Sequence, residues 1–252
     1  MGRVVPVIGL VSAMAEELAA VIDVVHAEEV IEHGGRRYHR GRYAGEDVVC
    51  VISRIGKVAA ATTVAILLER FRPRAVVMTG LAGGVDPRLA IGDIVIADTL
   101  IQHDLDARPL FPRHEIPLLG IAQLPADPAL ADRLARAAER FIVPPEVAAL
   151  GITAPRVWRG LIASGDQFFS SSDAVAALRV LLPDTLAVEM EGAAVAQVCH
   201  EHGIPFAVAR VISDTADHGA ALDFARFLRD ACGPYARALV EGVLTGVPSG
   251  RG

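Results

Sequence analysis

Two carboxylates, Glu189 and Glu191, interrupt an apolar run in "LAVEMEGAAVAQVCH" (186–200). An ionised carboxylate in apolar surroundings is costly unless it is paired, hydrogen-bonded or neutralised, so the pair needs a role. One role is structural: acids at a helix start complement the positive end of its dipole. The other is ligand binding. A carboxylate accepts hydrogen bonds from two neighbouring hydroxyls, as on a ribose, and Met190 between the two acids offers a soft apolar surface. On a strand the two acids share a face; on a helix they diverge by about 200°. "RVISDTAD" sets Asp214 beside Ser213 directly after an apolar run, either as a turn residue or as a general acid whose pKa burial raises. "SAMAEEL" (12–18) supplies Glu16 and Glu17. "TGLAGG" (79–84) reads as a glycine turn that lets backbone N–H groups approach a ligand. Neither it nor "RIGKVAAATT" fits the dinucleotide or Walker pattern.

These residues need elements to position them. "VPVIGLVS" (5–12), "DVVCVIS" (47–53), "RAVVMTG" (74–80) and "GDIVIADTLIQ" (92–102) read as buried strands. So do the cores of "PRVWRGLIASGDQFF" (155–169) and "PFAVARVISDTAD" (205–217). Helical runs separate them: "AEELAAVIDVV" from Ala15, "VAAATTVAILLERF" ending before Pro73, 192–202, and a last helix over "DFARFLRDACGPYARALVEGVL". Apolar strands alternating with helices predict an α/β fold with a central, mostly parallel sheet covered on both faces. One domain spans 1–252, with 245–252 as a flexible tail. In such sheets ligands bind outside the carboxyl ends of the strands. Glu16 and Glu17, TGLAGG, Asp166, Glu191, and Ser213 with Asp214 all follow predicted strands, so five segments bring polar groups to one edge.

Composition narrows the function. Over half of the 252 residues are hydrophobic, and the formal charge of −6 argues against a general nucleic-acid binder. Cys50, Cys199 and Cys232 lack metal or redox spacing and read as free thiols in a reducing compartment. The N-terminus carries an Ala-x-Ala at 13–15, but Pro6 breaks its apolar run. It reads as a first strand rather than a leader, and no segment reaches a membrane span. His103, Asp104, Asp106 and His114 in 102–120 lack the spacing of a metal site and read as solvated charges on a loop whose Phe111, Pro112 and 116–119 close a pocket or a subunit contact. No G-x-S-x-G elbow marks a serine hydrolase.

Taken in order, "IGLVSAMAEEL", "RIGKVAAA", "TGLAGGVDPRLAIGDIVIAD", "GLIASGDQF", "AVEMEGAAVAQVC" and "ARVISDTAD" resemble the nucleoside phosphorylase/hydrolase family over residues 8–217. Within it they are most similar to 5′-methylthioadenosine/S-adenosylhomocysteine nucleosidases. The resemblance implies a single α/β domain with a mixed sheet, a homodimer with loop 102–120 at its interface, a cytoplasmic location and a place in methionine salvage. It implies cleavage of an N-glycosidic bond with release of adenine, and no metal or organic cofactor. Asp214 matches the acid that protonates the purine at N7, with Ser213 holding it. Glu191 matches the ribose-binding carboxylate, Met190 packs on the sugar, and Glu17 matches the carboxylate that orients and deprotonates water. Glu189 supports the site, Arg210 anchors the carboxylates, and Phe168 stacks on the base. Ile55, Ala82, Gly83, Gln167 and Phe169 complete the substrate-binding set.

Four positions depart from the family pattern. Leu81 replaces a common Ser, Arg54 stands where Gly is common, and Gln167 and Phe169 flank Phe168 where smaller or aliphatic residues are usual. A purine nucleoside phosphorylase, another nucleosidase such as a futalosine hydrolase, and a non-catalytic nucleoside-binding protein are the rival readings. Phosphorolysis requires an anion opposite the base; "SAMAEEL" offers acids there and no Arg, which favours water.

Overall fold

The computed structural model describes residues 7–216 and 219–245. The tail expected at 245–252 and Asp217 of the "ISDTAD" segment therefore fall largely outside the described residues. The chain runs β1 (Ile8–Ser12), α1 (Ala15–Val25), β2 (Glu29–His33), β3 (Arg36–Tyr43), β4 (Glu46–Ile52), α2 (Lys57–Phe71), β5 (Ala75–Gly84), β6 (Ile94–Gln102) and β7 (Gln123–Pro125). It continues through α3 (Pro128–Glu139), α4 (Pro145–Ala148), β8 (Val157–Ser164), α5 (Ser172–Leu181), β9 (Thr185–Glu189), α6 (Gly192–Glu201), β10 (Phe206–Asp214), α7 (Ala220–Asp230) and α8 (Cys232–Thr245).

All ten strands form one mixed sheet. Among the described residues five strand pairings are parallel and five antiparallel. Three of the parallel pairings join the central strands β4, β1, β5 and β10. The antiparallel ones add the β2–β3 hairpin and the short β7, and they close the sheet on itself. Strands β5, β10, β6, β8 and β9 form a ring, because β9 returns to pair with the far end of β5 through Gly83↔Val188 and Gly84↔Ala187.

That closure corrects the reading of TGLAGG as a turn: the segment is the second half of β5. Its glycines serve close approach. A Cβ on Gly83 would lie 3.0 Å from the Cβ of Ala216 and 3.1 Å from Oδ1 of Asp214, so only a bare backbone lets β5 run so near the end of β10. The last helix is also two helices, α7 and α8, meeting at Ala231. Pro234 lies in the first turn of α8, where a missing N–H is harmless, but its ring excludes continuous helix through the carbonyl four residues back.

Both sheet faces are buried, as parallel strands require. Successive side chains of a strand point to opposite faces: Leu10 of β1 joins the core under α1, α3, α7 and α8, whereas Val11 joins the core under α2 and α6. Among the described residues no helix is long and apolar enough to cross a membrane.

Candidate active site

The carboxyl ends of β1, β5, β9 and β10 open onto one cleft enclosing about 680 Å³ of empty space, its mouth included. Glu17, Ile55, Ala82, Gly83, Gln167, Phe168, Phe169, Glu189, Met190, Glu191, Arg210, Ser213 and Asp214 all line it. Every site residue expected from the sequence is thus brought together. Two polar groups expected at the same edge are not. Glu16 is exposed on the outer face of α1, because only its neighbour faces inward at that helical position. Asp166 is exposed and accepts the Lys57 backbone N–H at 2.8 Å, satisfying a free donor at the start of α2 rather than lining the cleft.

Glu17 lies in the first turn of α1. Its carboxylate accepts the backbone N–H groups of Ala13 (2.9 Å), Met14 (3.1 Å) and, from β5, Leu81 (3.2 Å). Burial raises its pKa above the ordinary glutamate value, against the lowering effect of Arg210 and these N–H donors. Leu81 needs only its backbone here, so the departure from Ser leaves this hold on Glu17 intact.

Glu189 ends β9 and Glu191 is the N-cap of α6, so neither the pure strand nor the pure helix geometry applies. The backbone bends between them and turns both side chains inward. Glu189 receives the N–H groups of Glu191 (3.1 Å) and Gly192 (2.8 Å), the Ser164 hydroxyl and the Arg210 guanidinium. It therefore accepts helix-start donors, the structural role the sequence offered, and is ion-paired with Arg210 as well. Glu191 accepts the Gly56 N–H at 3.0 Å and approaches Arg210 at 3.3 Å. Burial, then repulsion from Glu189, push its pKa up to about 7, with Arg210 and Gly56 opposing. Arg210 is 1% exposed. Burial works against its charge, but Glu189, Glu191 and Glu17 outweigh that and raise its pKa. A Cβ on Gly80 would sit 3.0 Å from the Glu17 carboxylate and collide with the guanidinium, so this glycine leaves the space they occupy.

At the other end of the cleft, Asp214 accepts the Ser213 hydroxyl at 2.8 Å and the Ala216 N–H at 2.9 Å. The Ser213 hydroxyl also lies 3.4 Å from the Ala82 carbonyl. Between the two polar ends the walls are apolar: Met14, Ile55, Val188, Met190, Phe168, Phe169 and Phe224. Sequence reasoning missed Ala13, Met14, Val188 and Phe224. Met14 was within reach, standing three residues before Glu17. Phe224 was not, because it lies on amphipathic α7 and its aromatic ring reads as core; it meets Phe168 edge to face, 5.8 Å between centroids.

Arg54 does not line the cleft. It adopts φ +70°, which explains why Gly suits the position, and its guanidinium donates to the Gly35 carbonyl at 2.6 Å. Among the described residues no group of three metal-ligating side chains is placed to hold a metal. The three cysteines are buried and unpaired.

The arrangement gathers Glu17, Glu189 and Glu191 around the buried Arg210 and sets Asp214 on the same cleft beside apolar walls. The phosphorylase superfamily model matches residues 7–245. A 5′-methylthioadenosine/S-adenosylhomocysteine nucleosidase from Neisseria meningitidis, solved with methylthio-immucillin-A, is 32% identical with a TM-score of 0.87 over 96% of this chain and 99% of that one. An S-adenosylhomocysteine nucleosidase from Streptococcus pyogenes, solved with 5-methylthiotubericidin, is 34% identical, TM-score 0.84, over 98% and 99%. A futalosine hydrolase from Helicobacter pylori is 31% identical, TM-score 0.84, over 96% and 99%. With its closed mixed sheet, its cleft and this near-complete overlap, the chain belongs to the phosphorylase superfamily.

Proposed function

We propose that the protein is a nucleosidase that hydrolyses the N-glycosidic bond of 5′-methylthioadenosine or S-adenosylhomocysteine and releases adenine. The observation that carries this reading is the meeting of Glu17, Glu191 and Asp214, from three distant elements, around one apolar slot. As the bond breaks, its electrons pass to the purine and positive charge builds on the ribose. Asp214, oriented by Ser213, delivers a proton to N7; such a transfer contributes typically ~10²–10⁴-fold. Glu191 accepts the ribose hydroxyls and faces the developing cation, while Met190 packs on the sugar. Glu17 takes a proton from the water that attacks C1′; burial raises its pKa, which makes it a stronger base. Glu189 and Arg210 position the carboxylates. Phe168 stacks on the base, with Gln167, Phe169, Ile55, Ala82 and Gly83 around it. The products fit a role in methionine salvage.

Water rather than phosphate is the nucleophile in this reading. Among the described residues Arg210 is the one arginine lining the cleft, and it is already bound to Glu189 and Glu191. A phosphate beside Glu17 would meet repulsion of several kcal/mol at an effective dielectric of about 20. Arg54, tied to Gly35, brings no charge to the cleft. The futalosine hydrolase of comparable similarity supports a second nucleosidase reading, in which the same carboxylates serve a different nucleoside. The protein is further proposed to be a cytoplasmic homodimer joined through loop 102–120, which carries the exposed apolar side chains Leu110 and Leu118.

Incubation with methylthioadenosine, S-adenosylhomocysteine and futalosine, each with and without phosphate, tests the reading. Free adenine and free sugar at rates indifferent to phosphate are expected from the first two. A sugar 1-phosphate product would establish phosphorolysis, exclusive turnover of futalosine would select the second reading, and tight binding without turnover would make the protein a binder.

A further inference from the structure

Lys57, the first residue of α2, takes no part in the chemistry proposed above, yet it is only 16% exposed at its side chain and is held on several sides. Its ammonium donates to Asp104 Oδ1 at 2.6 Å and to Gln102 Oε1 at 3.1 Å, and lies 4.0 Å from Asp166. Its backbone N–H donates to Asp166 Oδ1 at 2.8 Å, and the Asp166 N–H donates to Asp104 Oδ2 at 2.9 Å. Two acids from the loops after β6 and β8 thus close on one cation at the start of α2. The residue next to that cation is Gly56, whose N–H donates to Glu191. Gly56 has φ +97°, and a Cβ there would stand 3.2 Å from the Asp166 carboxylate, so the clamp closes over a bare glycine. A second tie runs from Gln102 to Gln197 of α6 at 2.7 Å, the helix that Glu191 caps.

We infer that Lys57 is a positioning residue for ribose binding: its ammonium holds the loops after β6 and β8 against the first turn of α2, and so keeps the Gly56 N–H on Glu191. Without the cation, Asp104 and Asp166 repel each other across the turn that carries this N–H. The loop that bears Asp166 also bears Phe168, so one lysine couples the grip on the sugar to the wall that meets the base. The inference rests on the proposed role of Glu191 at the ribose.

Loss of the Gly56 donor removes a group that stabilises ionised Glu191, so the Glu191 carboxyl must then titrate at higher pH. The other groups facing Glu191 are Glu189 from β9, Arg210 from β10 and Glu17 from α1. Those around the clamp are Asp104, Asp166 and His103. Lys57 keeps the Asp104 pKa below its ordinary value despite burial, and burial lowers that of His103.

The test titrates Glu191 by carbon NMR of carboxyl-labelled glutamate, assigned with E191Q, in the wild type, K57M, K57R and D104N. It is paired with the pH profile of kcat/KM for methylthioadenosine. K57M and D104N are expected to raise the Glu191 midpoint by roughly one pH unit, a tenfold gain in proton affinity on losing one hydrogen bond to a charged group. The acid limb of kcat/KM should move with it, and K57R should restore both. An unchanged midpoint in K57M and D104N, with activity scaled down equally at every pH, would overturn the inference and leave Lys57 a fold-stabilising residue. Should K57M fail to fold, D104N decides the matter. Absence of methylthioadenosine turnover in the wild type would refute the substrate reading alone, because the NMR midpoint is measured without substrate.

Discussion

The floor of the cleft and its mouth are built on opposite principles. On the floor, Glu17, Glu189, Glu191 and Arg210 are each no more than 6% exposed, and every carboxylate accepts at least one backbone N–H, from distant β5 for Glu17 and distant Gly56 for Glu191. At the mouth, Ile55 is 55% and Phe168 44% exposed, and Phe168 touches Phe224 through an edge-to-face ring contact. Directional bonds in low dielectric fix the floor in one geometry. Ring contacts at the mouth are individually weak and tolerate sliding. The contrast assigns reaction chemistry and the hold on the ribose to the floor and the grip on the base to the mouth, so mutations at the mouth should act on KM and those at the floor chiefly on kcat.

The largest expected effects belong to the polar ends of the slot. Asp214→Asn keeps the shape and removes the transferable proton, and should lower kcat by about 10²–10⁴-fold with the far-ultraviolet circular dichroism unchanged. Glu17→Gln should cost at least about 10²-fold in kcat with little change in substrate affinity. Adenine release under saturating substrate measures both; near-normal turnover in either variant would remove that residue from its role.

Arg210→Met comes next. It leaves Glu17, Glu189 and Glu191 buried without their shared cation, and removing one partner of a buried ion pair costs about 3–5 kcal/mol. Urea unfolding at pH 8 should register that loss. The deficit should shrink toward pH 5, where Glu191, its pKa pushed up to about 7, takes up a proton. A deficit independent of pH would mean that the guanidinium matters through packing alone.

The same contrast explains what was legible in the sequence. Buried carboxylates in apolar runs are conspicuous because they violate the burial rule, and "VEMEG", "ISD" and "SAMAEEL" each led to a residue now lining the cleft. The central strands and α1, α2 and α6 were legible for a similar reason, since long apolar runs bounded by breakers leave few alternatives. The β2–β3 hairpin was not: "EVIEHGGRRYHRGRY" has few apolar residues, and of β3 only Tyr38 and Gly41 are buried. TGLAGG misled because glycine's two uses, turning and close approach, look the same in one dimension. Asp166 was expected at the ligand-binding edge because it follows a strand, whereas its partner is a helix-start N–H 109 residues away. Phe224 was invisible since an aromatic on an amphipathic helix signals burial without saying against what.

A smaller effect tests the electrostatics of the floor by itself. Glu191 has its pKa raised by burial and by Glu189 from 4.5 to about 7. The folded state therefore binds this proton more tightly than the unfolded state. The stability it brings is fully present below about pH 4.5 and is lost as pH rises through 7. The amide side chain introduced by E191Q does not titrate. The unfolding free energy of E191Q relative to the wild type should rise by roughly 1–3 kcal/mol between pH 4.5 and pH 8. Parallel stability curves across that range would show that Glu191 is as comfortable ionised in the fold as in water.

The smallest expected effect falls on the mouth, and it is the one that decides whether floor and mouth are separable. Phe224→Ala removes the ring that meets Phe168 from across the cleft and opens the apolar wall to water, but touches no member of the carboxylate network. An aromatic pair of this kind is worth about 0.5–1.5 kcal/mol beyond its buried area. KM for methylthioadenosine should therefore rise about tenfold, with kcat within about twofold of the wild type and the Glu191 titration unmoved. If kcat instead fell as far as in Asp214→Asn, the ring would be acting on the transition state. Closure of the mouth would then be part of the chemistry, with exclusion of water strengthening the charges on the floor, and the division of labour between the two regions would not hold.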